Sequence, residues 1–263
     1  MPVGRMLAPY GPHGPHARPA VRAAGPDGTA LVLVAHGSRD PRHSATLRSL
    51  ADGVRSLAGL RTRVAFLEFD RPGVADALRA TVAAGADRVV VVPLLLSRAY
   101  HATADLPAAL AGDWGVPVHT TDVLGGSPLL VTALERRLLE AGSGPSGRDS
   151  SGVVVAATGS RDAGARASVA AVARALRRAG RRDVLPAYVT GPGRRPGDAV
   201  RELRARGVRR VAVAPYVLAP GLLPDRIAAE AAEAGADVLA APLGAAPELV
   251  RLVVERGAGA VAG

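Results

Sequence analysis

The chain contains no cysteine. Disulfides, thiolate chemistry and cysteine-held zinc or iron–sulfur centres are therefore excluded. It contains no lysine either, so all 33 basic residues are arginine. Aromatic residues make up only 3%, too few for a surface that stacks nucleobases, and the core is left to Ala, Val and Leu. No apolar run reaches the roughly 18 residues of a membrane span. The first 28 residues hold no apolar stretch of the secretory-signal type. A cytoplasmic protein with no membrane or nucleic-acid partner is expected.

What is present bounds the answer further. A hydrophobic fraction of 48% over 263 residues suits a packed globule with room for two domains of about 100–150 residues. The net charge of +10 reads either as a GC-rich coding bias, which favours Arg, Ala, Gly and Pro together, or as attraction to a polyanion. The arginines are scattered, which speaks against nucleic acid and leaves a small polycarboxylate or phosphate ligand open. Residues 1–28 are rich in Pro, Gly and His and read as a disordered tail, with His13 and His16 solvated.

From Thr29 onward, short apolar runs alternate with helical spacing. ALVLVA (30–35), TRVAFLEF (62–69), RVVVVPLLL (88–96) and VPVHTT (116–121) read as strands, with an amphipathic stretch after each. That alternation predicts parallel βαβ units. The segment GSGPSGRDSSG (142–152) is all small, polar or breaking residues and reads as a linker. After it the series restarts. Gly37 matches Gly159 and Pro93 matches Pro215, both 122 residues apart. The prediction is an α/β protein of two tandem Rossmann-like or flavodoxin-like domains with parallel sheets, related by internal duplication. The expected divisions are a tail at 1–28, a first domain at 29–142, a linker at 143–151 and a second domain at 152–263.

Ligands of parallel sheets sit beyond the carboxyl ends of the strands. His36 follows the first strand, Glu68 closes the second and His101 lies in the loop after the third. Two imidazoles and a carboxylate at one sheet edge suit a borderline divalent metal such as iron, cobalt or nickel. The second copy serves as a control. At the same spacing, His36, Glu68 and His101 become Thr158, Thr190 and Leu223, while GSRD persists. One half is thus expected to work and the other to be kept for its shape. His43 and His119 read as helix-face and strand-face residues. The GGS at 125–127 lacks the remainder of a phosphate loop.

The segments VLVAHGSRDPRHSATLRSLADGVR, VAFLEF and VVVVPLLLSRAYHATADLP resemble the sirohydrochlorin chelatase family of class II tetrapyrrole chelatases, over nearly all of 29–263. The resemblance implies paired α/β domains with a cleft between them and ATP-independent insertion of a divalent metal into sirohydrochlorin. It implies metal contacts at His36 and His101, helped by Glu68. His36 then becomes the candidate for both ligand and acceptor of pyrrole protons. Ser38, Arg39, Arg42, Ser97, Arg98 and Tyr100 are the expected contacts to the anionic macrocycle. No permanently bound cofactor is expected, the metal being substrate, and a monomer or weak dimer is expected. A non-catalytic metal or tetrapyrrole carrier fits the same residues, and a binding protein for a phosphorylated ligand is the more distant alternative.

Overall fold

The computed structural model describes residues 28–98, 101–146 and 151–261. The tail expectation falls on residues outside that set, as do residues 147–150 of the linker. Two four-stranded parallel sheets are present. The first has β1 (Thr29–Ala35), β2 (Arg61–Phe66), β3 (Arg88–Pro93) and β4 (Val118–Thr120), in the order β2-β1-β3-β4. The second has β5 (Gly152–Ala157), β6 (Val184–Tyr188), β7 (Val211–Pro215) and β8 (Val238–Leu239), in the order β6-β5-β7-β8. Leu31 pairs with Thr62 and Val90, and Val153 pairs with Val184 and Ala212. The 122-residue spacing therefore holds in the register of three strands. At the fourth strand it contracts: Val90 pairs with His119, but Ala212 pairs with Val238.

The strands form where apolar residues run unbroken, because both sheet faces are covered. Along β1, Leu31, Leu33 and Ala35 face one core, while Ala30, Val32 and Val34 face another. The helices are α1 (Pro41–Ala58), α2 (Val74–Ala83), α3 (Leu106–Leu110), α4 (Pro128–Glu140), α5 (Ala163–Arg178), α6 (Pro196–Ala205), α7 (Leu222–Glu233) and α8 (Pro247–Val261). Helices α2 and α3 cover the outer face of the first sheet, and α6 and α7 that of the second. A single shared core lies between the sheets and holds side chains from α1, α4, α5 and α8.

Within that central layer the halves exchange helices. Helix α8 ends the second half but packs on α1 and β3 of the first. Its Gly257 lies so close to β1 that an added Cβ would sit 3.1 Å from Leu31, and its Val250 abuts Gly53 of α1. Helix α4 ends the first half but packs on β7 and α5 of the second. Polar ties reinforce the exchange. The Arg136 guanidinium of α4 grips the Glu248 carboxylate of α8 at 2.6–3.0 Å. The fully buried Arg181 donates to Glu135 of α4 at 2.8 and 3.0 Å and to the Ser143 hydroxyl. The tandem arrangement of the sheets is as the sequence predicts; the sharing of terminal helices is new.

Candidate active-site cleft

In each sheet the chain moves outward from the first strand to the second, then crosses back to the third. The strand order thus reverses between β1 and β3, and a ligand crevice opens at such a point. A cleft of about 640 Å³ lies there, at the carboxyl ends of both sheets. That volume lies inside the range of roughly 300–1,000 Å³ typical of small-molecule sites. The first half lines it with His36, Gly37, Ser38, His43, Leu47 and Leu94–Ser97. The second half lines it with Thr158–Asp162, Arg166, Tyr188, Thr190 and Tyr216–Pro224.

His36 follows β1 directly. Its carbonyl accepts the Glu68 amide N–H at 2.8 Å, extending the β1–β2 ladder past the end of β2. The two candidate ligands are therefore backbone neighbours. Gly37 permits this approach, with φ of +101° and an imagined Cβ only 1.8 Å from the Glu68 carbonyl oxygen. No other residue fits that space and that backbone angle. Ser38 Oγ then accepts from the Asp40 amide at 3.1 Å. Asp40 in turn accepts from the Arg42 amide at 2.9 Å and caps α1, whose first residue is Pro41.

The second copy keeps this frame. Thr158 accepts the Thr190 amide at 2.9 Å, and Gly159 has φ of +95° with an imagined Cβ 2.0 Å from the Thr190 oxygen. Register thus fixes Thr158 as the counterpart of His36 and Thr190 as that of Glu68. The match of His101 to Leu223 is weaker, because the spacing contracts between β7 and β8.

His101 opens a five-residue π-helical turn, His101–Asp105, that leads into α3. The sequence predicts a loop at His101 and a plain helix from Ala102. Short π segments recur at functional sites because they re-aim one side chain. Its side chain and all of Tyr100 lie outside the described residues. Among the described residues, no three His, Asp or Glu side chains are grouped to hold a metal. Glu68 is exposed.

Of the expected substrate contacts, Ser38 and Ser97 line the cleft. The arginines are placed otherwise. Arg42 is bound to Asp40 and, across the halves, to Asp225 at 2.5 Å. Arg98 pairs with Asp122 at 2.6 and 2.8 Å and is exposed. Arg39 lies 5.3 Å from the Phe69 ring centroid. Phe69, exposed and at φ of +60°, also meets His36 edge-on at 5.7 Å. A bulky residue in that backbone region is strained and is held by its surroundings.

Sequence reasoning missed several cleft residues. His43 lines the cleft rather than a plain helix face, and burial lowers its pKa, so it stays neutral. Its Nδ1 has no hydrogen-bond partner. Tyr216, 3% exposed, has an unpartnered hydroxyl whose pKa burial raises, leaving a neutral donor. Tyr188 donates to the Arg166 carbonyl at 3.0 Å. The α1 spacing could have found His43, which falls one turn before the buried Leu47. Nothing in the apolar runs pointed to the second half's wall.

Duplicated parallel sheets facing each other across a shared helical layer, with a histidine-bearing cleft at their carboxyl ends, define a two-domain α/β ligand-binding architecture. The CbiX family pattern matches residues 30–141 and again 152–260, and the chain belongs to that family. The sirohydrochlorin cobaltochelatase of Methanocaldococcus jannaschii is 39% identical over 83 residues, 31% of this chain and 57% of that protein. This match thus spans little more than half of the relative's length. The sirohydrochlorin ferrochelatase of Bacillus subtilis is 26% identical over 207 residues, 76% of this chain and 78% of that protein. The solved structure of SirB from Bacillus subtilis with Fe3+ superimposes with a TM-score of 0.75 at 25% identity, covering 87% of this chain and 93% of that one.

Proposed function

We propose that this chain inserts a divalent metal into sirohydrochlorin without ATP, in the cytoplasm, with iron as the favoured metal and cobalt next. The observation that carries the reading is the meeting of the strand ends around one cleft. His36 and Glu68 are joined by a backbone hydrogen bond there, and His101 begins the turn after β3. The names of relatives in this family support the same reaction class and differ over the metal.

Insertion exchanges two pyrrole N–H protons for one divalent cation, so the site needs a loose hold on the metal and a proton acceptor. In this reading His36, His101 and Glu68 would hold the incoming metal; as it passes to the ring, the released His36 imidazole would take one pyrrole proton and bulk water the other. The walls supplied by Leu94, Leu96, Leu222 and Leu223 would cover the flat apolar faces of the ring. Ser38 and Ser97 would meet its rim.

The test is anaerobic insertion into sirohydrochlorin followed by absorbance, with Fe2+ and Co2+ separately. His36→Ala and His101→Ala should each lower the rate at least about a hundredfold, as loss of a positioned acid–base group does. Their circular dichroism should match that of the wild type. Binding of metal and tetrapyrrole with no acceleration would replace the chelatase reading with that of a carrier.

A further inference from the structure

The second GSRD loop poses a question that the frame answers only in part. Its glycine is required by the close approach to Thr190. Its serine accepts the Asp162 amide at 3.0 Å, and its aspartate caps α5 by accepting from Ala165 at 2.6 Å. These three residues hold the loop, as their counterparts do in the first half. Arg161 has no such task. Its side chain is exposed, makes no hydrogen bond or ion pair with the described residues, and lines the cleft.

The neighbours of Arg161 sharpen the contrast. In the first half Arg39 lies against Phe69, next to Glu68 in the chain. At the matching positions the second half has Gly191 and Thr190. The ring that would hold the arginine and the carboxylate that would offset its charge are both gone, together with the imidazole. The other charged side chains on this wall are committed. Asp162 caps α5, and Arg166 donates to the carbonyls of Ser160 and Arg161 at 2.9 and 2.7 Å. Among the described residues, Arg161 is therefore the cation of this wall whose side chain is left without a hydrogen bond or ion pair, and it faces the cleft where the first half carries its candidate metal ligands.

An exposed guanidinium beside an apolar-walled cleft, with hydroxyls from Ser160 and Thr158 on the same wall, is suited to a carboxylate. We infer that Arg161 binds a peripheral carboxylate of the tetrapyrrole, so that the altered second site is a substrate-anchoring subsite. This deepens the chelatase reading and rests on it for the identity of the ligand. The anchor would act before metal insertion. It would fix the rotation of the macrocycle in the cleft, leaving the pyrrole nitrogens over the first half.

The experiment compares the full chain with Arg161→Gln and Arg161→Lys. Sirohydrochlorin is titrated without metal, followed by absorbance or fluorescence, and insertion kinetics are measured in parallel. Arg161→Gln should weaken binding and raise KM about five- to tenfold, the scale of one charge-assisted contact near a surface. Its kcat and its thermal midpoint should stay as in the wild type, because the side chain has no hydrogen-bond or ion-pair partner among the described residues. Arg161→Lys should recover most of the loss. Binding by Arg161→Gln within twofold of the wild type would overturn the inference, as would a fall in kcat with binding unchanged. A wild-type chain that binds sirohydrochlorin without inserting metal would refute the chelatase reading alone, because the metal-free titration still reports on Arg161.

Discussion

Removing the last helix of the chain should unfold the half that does not contain it. Helix α8 belongs by sequence to the second half, yet it covers α1 and β3 of the first. Its Leu249 and Val253 are 0% exposed and its Leu252 is 3% exposed. At about 1.5–3 kcal/mol for each fully buried aliphatic side chain, the three contribute roughly 5–9 kcal/mol. That is comparable with the roughly 5–15 kcal/mol that separates a typical folded domain from its unfolded state. Trp114, the only tryptophan, reports on the first half alone. It packs against the outer core of the first sheet, with its indole N–H donated to the Leu110 carbonyl at 2.9 Å. In urea titrations read by Trp114 emission, a chain ending at Ala246 should show its transition at much lower denaturant or not at all. Gly257→Leu should shift the same transition by about 1–3 kcal/mol through crowding against Leu31. If the Trp114 midpoint is unchanged in both variants, α8 does not support the first sheet and the exchange of helices is refuted.

Two further outcomes follow from the geometry. Gly37→Ala and Gly159→Ala should each destabilise by more than about 2 kcal/mol in thermal unfolding, since each combines a positive φ with a carbonyl oxygen inside contact distance; wild-type stability in either would show that the loop is not held this way. Arg136 lowers the Glu248 pKa below the ordinary carboxylate range. This contribution is present in full above about pH 4.5, the ordinary glutamate pKa, and is lost as pH falls through the lower folded value. Arg136 is 43% exposed, so solvent limits the effect to at most about 1 kcal/mol. Glu248→Gln should flatten that part of the acid unfolding profile, and an unchanged acid limb would remove the pair from the account.

The duplication and the parallel sheets were legible because they rest on local signals. Unbroken Val and Leu runs mark strands buried on both faces, and the 122-residue spacing is visible without a structure. The ends of β2 and β3 were less legible. The apolar runs continue through Leu67, which still pairs with β1 beyond the end of β2, and through Leu94–Leu96, which form part of the cleft wall. The destination of α8 was not legible at all. Its apolar stripe declares that one face is buried, and either sheet would satisfy it. The partners of the arginines were not legible for a related reason. Proximity to HGS and PLLLS pointed to Arg42 and Arg98, and the carboxylates that engage them, Asp225 and Asp122, lie far along the chain. The register of His43, one turn before the buried Leu47, marks an inward face of α1, but facing the core and facing the cleft coincide there, so its place in the cleft was not legible.

The exchange of α4 and α8 makes the two halves isologous: each gives the other the same element and receives the same element back. Two separate copies of one half could in principle close on each other through that self-complementary surface. In such a pair every substitution would appear on both walls at once. Losing a histidine would cost both sites, and gaining an arginine would place two cations across the cleft. Joining the halves through residues 143–151 removes that constraint, because each wall is then encoded separately. Thr158 can stand opposite His36, and Gly191 can take the place matched by Phe69, while the shared helical layer remains nearly twofold. The covalent link thus breaks symmetry in the cleft without breaking it in the core, which is what holding a ring with unequal edges in one orientation would require.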